Sequence, residues 1–265
     1  MINRTVILFL TLQMVLFVGC GLLSSDHDFG TSVPIDEMNG DYLTDSMVVS
    51  KILLDNTIPI EEFHNVVVKS KTGRIIQLNL QNRNIEIITD SISLLYSLQK
   101  VNLDSNRISK LPAGIAKCNY LRVISIMNNV LQELPEDLGK SLSIQELNFG
   151  HNSIVRLPTS FTQLKTLSIL KIGYNRLEEL PLDFGVLKKL DYLDLKNNFL
   201  RRIPDSAEMI GQIGYLHTQT TMDGECSQFF PHLYVDSNYI HDVSPSIKKW
   251  LSAHDPDWEK KQKNR

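Results

Sequence analysis

The groups in this chain that could do chemistry are seven histidines, three cysteines and a scatter of carboxylates, and their spacing limits what that chemistry could be. His217 and His232 could share a metal from neighbouring strands, but no third ligand at a zinc-like interval accompanies them. The paired acids Glu178-Glu179 and Glu136-Asp137 stand beside prolines and read as a solvated face. There is no nucleotide-binding glycine loop, no Gly-x-Ser-x-Gly elbow and no HExxH. No catalytic residue, metal or cofactor is therefore assigned. The residues with a definable purpose are aromatic. Tyr174, Tyr192, Tyr215 and Tyr234, with Ile169, His217 and His232, gather toward the C-terminal half. Tyrosine gives a large contact area at low side-chain entropy cost, which suits a binding surface. Its ring could also stack on a sugar, or simply pack on a neighbouring strand and raise strand propensity.

A period brings these residues together. Asn106, Asn129, Asn152, Asn175 and Asn198 stand 23 residues apart, and Arg83 holds the same phase one period earlier. Apolar positions repeat with them: Leu98, Val101, Leu103 and Ile108 around the first asparagine, and Leu190, Leu193, Leu195 and Leu200 around the fifth. A fixed period of this size means one supersecondary unit stacked on its copies, each turn burying a face it could not bury alone. The alternating apolar pair makes a strand with one buried face, and stacking such strands gives a parallel sheet. The asparagine amide, with donors and an acceptor on a short stem, can satisfy backbone groups left unpaired where the chain turns inside the stack.

The motif LxxLxLxxNxL, joined by segments such as Leu111-Pro112…Ile115…Cys118…Leu121, resembles the leucine-rich-repeat family in its 23-residue form. That resemblance implies an α/β solenoid: a curved horseshoe with a parallel sheet on its concave face and short helical or irregular segments on the convex face. It also implies a binding module rather than an enzyme, with a protein partner on the concave face. The exposed strand positions lie six, four and two residues before each asparagine phase. Six before, they run Lys100, Val123, Glu146, Ile169, Tyr192, Tyr215 and His232; four before, Asn102, Ser125, Asn148, Lys171, Asp194, His217 and Tyr234.

Along the 265-residue chain, a continuous array argues for a single elongated domain. The net charge of -3 implies neither a nucleic acid nor an anionic membrane surface as partner. Residues 1–19 have the order of an export signal, with Arg4, an apolar run from Val6 to Val18, and Gly19. The ending Leu16-Phe17-Val18-Gly19-Cys20 resembles a bacterial lipobox, which implies lipidation of Cys20 and a place on a bacterial cell envelope. An uncleaved membrane anchor and a plain cleaved signal are the alternatives, since Thr5 to Leu23 is about 20 residues. Residues 20–42 then form a polar tether without Lys or Arg.

Residues 43–72 are expected to form an N-terminal cap, with Thr44 or Asp45 starting a helix and Ile76-Leu78-Leu80 as the strand that follows. The array covers 73–243 in about seven to eight turns. Beyond Asn198 the period predicts one degenerate turn, then an irregular loop from Met222 to Gln228, then a shortened turn that restarts at Phe230, Leu233 and Val235. Residues 244–265 hold a C-terminal capping helix, with Ser244 as N-cap and Pro245 as first residue, and a tail. Cys118 falls on a buried phase and Cys226 in the irregular loop, too far apart to bridge. Similar bacterial proteins often carry a cysteine where His241 stands, so that resemblance assigns no loop disulfide here. A glycan-binding adhesin and a structural spacer remain the alternatives to a protein-binding module.

Overall fold

The computed structural model describes residues 41–210, 219–221, 224–226, 233–241 and 243–263, with the backbone alone for 41, 42, 219–221 and 224–226. Cys20, the leader, the tether up to residue 40, Tyr215, His217 and His232 lie outside the described residues, and residues 41 and 42, expected in the tether, already belong to the first helix.

Seven short strands stack in parallel: β2 (Ile75–Asn79), β3 (Lys100–Asn102), β4 (Val123–Ser125), β5 (Glu146–Asn148), β6 (Ile169–Lys171), β7 (Tyr192–Asp194) and β10 (Leu233–Tyr234). Their register follows the period, so that Val101, Ile124, Leu147, Leu170 and Leu193 pair in sequence, each fully or almost fully buried. The opposite side of each turn is a short 3-10 segment, such as Ala113–Lys117, Glu136–Lys140 and Thr159–Gln163. Proline precedes each of these three, where its fixed φ suits an extended entry residue. These segments pack so closely that a Cβ on Gly139 would overlap the Ser160 carbonyl, and one on Gly185 that of Ser206.

The asparagines form a ladder. Asn129 accepts the Ile108 N–H on Oδ1 at 2.9 Å and donates through Nδ2 to the Leu103 carbonyl of the preceding turn and the Ile126 carbonyl of its own. Asn106, Asn152, Asn175 and Asn198 make the corresponding bonds. The residue before each of these asparagines is left-handed, at φ 53 to 57°.

The N-terminal end is closed by α1 (Asp41–Asp55), α2 (Phe63–Val66) and β1 (Val67–Lys69), the last antiparallel to β2. Asp45 does not start the helix, which begins four residues earlier. Its carboxylate is fully buried and accepts from Arg74 Nε at 2.9 Å, Arg74 Nη2 at 3.0 Å and the Ile75 N–H at 2.9 Å. The two-pronged guanidinium contact and the backbone bond together clamp α1 to the first parallel strand. In that strand Ile75, not Ile76, is buried alongside Leu78 and Leu80, because Ile75 is the residue one period before Leu98.

The C-terminal end departs from the sequence expectation. β10 pairs directly with β7, Leu233 opposite Leu193 and Tyr234 opposite Asp194, so the sheet carries no degenerate turn between them. The ladder confirms the adjacency. Asn238 donates to the Leu195 carbonyl and accepts the Leu200 N–H, the same contacts made at a 23-residue step elsewhere, although it stands 40 residues after Asn198. Nor is the stretch around Cys226 wholly irregular. β8 (Gln219–Thr221) and β9 (Gly224–Cys226) pair antiparallel in a separate two-stranded sheet. β-branched Thr220 and Thr221 favour an extended backbone there, which the 23-residue template does not register.

The helix α3 (Pro245–His254) is capped by Ser244, whose Oγ accepts the Ile247 N–H at 3.4 Å, and it buries Ile247 and Leu251. The tail then returns to the open edge of the last turn. Gln262 Oε1 accepts the Ile240 N–H at 3.4 Å, and its Nε2 donates to the Val235 carbonyl at 3.2 Å. Those are the two groups that a further ladder asparagine would satisfy, so a glutamine from outside the array closes the ladder.

Candidate functional site

With the leucines committed to the core, the open face of the sheet presents the alternate side chains. Its N-terminal half is lined by amides and hydroxyls that bond to one another. Asn102 donates to Gln81 at 3.0 Å, Ser125 to Asp104 at 2.7 Å, and Asn148 to Ser125 at 3.2 Å. From β5 onward the character changes to aromatic and charged.

Strand register carries Ile169, Tyr192 and Tyr234 to one region of this face: Ile169 pairs with Tyr192, and Tyr234 with Asp194 next door. The rings of Tyr192 and Tyr234 lie 5.6 Å apart in a tilted pair. Two lysines enter the cluster. Lys171 Nζ stands 5.5 Å from the Tyr192 ring centre and 3.3 Å from Glu146. Lys196 Nζ stands over both Tyr174, at 5.5 Å, and Tyr234, at 5.7 Å, and 3.4 Å from Asp194. Each such cation–ring contact contributes about 0.5–1 kcal/mol at an exposed site. They fix the lysines more than they stabilise the fold.

Tyr174 holds the left-handed position before its asparagine, at φ 57°, as does His151 one turn earlier at φ 55°. Bulky side chains rarely occupy that region. The two rings stack at 4.1 Å with 10° between their planes, and Tyr174 remains 42 % exposed. Gly173 makes room beside them, since a Cβ there would come within 2.8 Å of Asp194 Oδ1.

The electrostatics follow from this packing. Burial, then the neighbouring Tyr234 and Asp194, push the Tyr192 hydroxyl up to about 12, so it remains a neutral donor throughout the physiological range. Burial likewise raises Asp236 above the usual carboxylate range, partly offset by Lys261. Among the described residues Asp236 Oδ1 has no hydrogen-bond partner, and it lies 3.9 Å from Lys261 Nζ.

Of the residues that the sequence nominates, Ile169, Tyr174, Tyr192 and Tyr234 share this face, and Tyr215, His217 and His232 lie outside the described residues. His151 and Lys196 complete the cluster without having been nominated. His151 shares the phase of Tyr174, one residue before a ladder asparagine, and Lys196 lies two residues before one, so the period itself contained the signal. Among the described residues no group of three or more His, Cys, Asp or Glu is placed to hold a metal. Cys118 is buried, donates toward the Ile92 carbonyl, and has its thiol pushed up to about 12 by burial.

No family model and no curated protein matches the chain. Solved structures do. The PEPR1–AtPEP1 structure is 21 % identical over 69 % of this chain and 28 % of its own, with a TM-score of 0.57. A chain of the octameric complex of Latrophilin 3, Unc5D and FLRT2, in which FLRT2 contributes leucine-rich repeats, is 23 % identical over 64 % of this chain and 49 % of its own, with a TM-score of 0.51. A leucine-rich-repeat protein of Leptospira interrogans is 24 % identical over 69 % of this chain and 55 % of its own, with a TM-score of 0.47. The chain thus spans about half or less of the length of these proteins. Its fold is that of a leucine-rich-repeat solenoid, with the parallel sheet on the concave face.

Proposed function

We propose that the chain is a non-enzymatic, protein-binding leucine-rich-repeat module, held on a bacterial envelope by a lipidated Cys20 and engaging its partner through the C-terminal half of the concave face. The carrying observation is the cluster of Tyr174, Tyr192 and Tyr234 with two lysines threaded among their rings, on the face left free by the core. Rigid aromatic area edged by paired charges is the composition of a protein-recognition surface. Two of the similar structures are complexes by their own titles, which supports the same reading.

A sugar would need free ring faces to stack on. Here a lysine ammonium already stands over each of the three rings, and His151 covers Tyr174 as well. Crosslinking in intact cells followed by affinity capture tests the reading. The double variant Y192A/Y234A should lose the captured partner, by about tenfold or more for two interface anchors, while its unfolding midpoint moves little. Equal capture by the variant would move the site elsewhere, and a mature N-terminus other than acylated Cys20 in the same material would remove the lipid anchor.

A further inference from the structure

The flank of the solenoid that precedes the strands has a composition unlike either face. Backbone bonds align it turn by turn: Arg122 N–H donates to the Gln99 carbonyl, Gln145 to Arg122, Ser168 to Gln145 and Asp191 to Ser168. Near this ladder, exposed apolar residues recur in three successive turns: Tyr96 at 49 %, Tyr120 at 60 % and Leu142 at 88 % exposure. Tyr96 and Leu142 share one phase with Asn119 between them, and Tyr120 stands next to Asn119, while the Arg74 guanidinium lies over the Tyr96 ring at 5.9 Å.

The same corner is cationic along its length. Lys117, Arg122, Lys140, Lys165, Lys188 and Lys189 are all exposed on it. Among the described residues, Asp137 pairs with Lys140 at 2.5 Å and Asp191 lies at the far end, while Lys165 Nζ and Lys188 Nζ donate to the Thr162 and Met209 carbonyls at 3.2 and 2.8 Å. Lys117 and Lys140 close 3-10 segments, where a cation is favoured by the peptide dipoles. The other four lie beyond those segments, so the dipole does not account for them. The chain as a whole carries -3, which conceals this segregation.

Exposed tyrosine and leucine set among lysines is the composition that settles at a bilayer interface, with the apolar groups at the acyl boundary and the amines on anionic headgroups. We infer that this flank docks on an anionic lipid surface and lays the solenoid on its side, leaving the concave face open to a partner. The inference rests on the lipid-anchored reading for its proximity. The 21 residue-to-residue steps from Cys20 to Asp41 span at most about 70 Å, so an anchored body stays close to the bilayer and weak contacts suffice.

The test uses the full chain mixed with vesicles of phosphatidylcholine alone or with three-tenths phosphatidylglycerol. Two readouts are taken, cosedimentation and acylation of each lysine by a soluble reagent followed by mass spectrometry. Cosedimentation with both vesicles, with Lys117, Lys165 and Lys188 protected about fivefold or more on the anionic ones and Lys100 on the concave face unprotected, is the expected result. The double variant K165E/K188E should lose the protection of Lys117, and the separate variant L142S that of all three lysines, while both still cosediment; all three substituted positions are exposed. Binding to anionic vesicles alone, with the same protection, would uphold the flank and discard the anchor. Cosedimentation with equal labelling on both vesicles would uphold the anchor and overturn the flank. No binding to either would overturn both.

Discussion

At the scale of single residues, the turn geometry and the aromatic cluster make opposed demands at position 174. The position before each ladder asparagine is left-handed, and the chain places Ser105, Asn128 and Asn197 there in other turns, residues short enough to tolerate it. Tyr174 is not, and a non-glycine residue held there costs on the order of 1–2 kcal/mol relative to the right-handed region. It keeps its place by stacking on His151 and under Lys196. A ring retained against backbone preference points to use outside the fold. Y174N should therefore leave stability unchanged or raise it by up to about 1 kcal/mol in urea unfolding, while weakening partner capture. A clear loss of stability would show that the ring is there for packing alone. The sequence disclosed which phases Tyr174 and Lys196 occupy; it could not disclose that the lysine stands over the ring, because that contact is made between neighbouring turns.

At the scale of elements, the legible part was what repeats. Strand positions, the buried leucines and the asparagine ladder all follow from one template. The two ends were less legible, since each is made by contacts that occur once. Asp45 in a helix and Arg74 in a turn carry no pattern linking them, yet they form the buried clamp of the N-terminal end. Removing one partner of such a pair leaves a buried charge uncompensated. Gln262 lies in a tail beyond the period, and only three-dimensional return makes it the closing member of the ladder. Q262A should cost about 1–2 kcal/mol and speed hydrogen exchange at Ile240 before that at Ile172 in the middle of the array. Uniform exchange in both would show that the tail does not cap. The direct pairing of β10 with β7 is illegible for a related reason: Ile213 and Leu216 lie on phase in the sequence, and a periodic template cannot tell which on-phase residues occupy the next rung of the sheet.

At the scale of the whole molecule, stacking 23-residue turns divides the surface by phase. Leucines take the core, asparagines the turns, and each remaining phase becomes a stripe running the length of the array. The stripes differ in what they carry: tyrosine and lysine on the concave face, tyrosine, leucine and lysine on the flank. Net charge and overall composition are blind to this partition, which is why they pointed to no surface partner. The most direct measurement places a photo-crosslinking amino acid at Tyr192, Tyr234 or Glu133, an exposed residue outside the strands, in the full chain, and irradiates intact cells. The account predicts one adduct of common mass from Tyr192 and Tyr234 and none from Glu133. An adduct from Glu133 alone, or the same adduct from all three, would contradict a partner seated on the concave face.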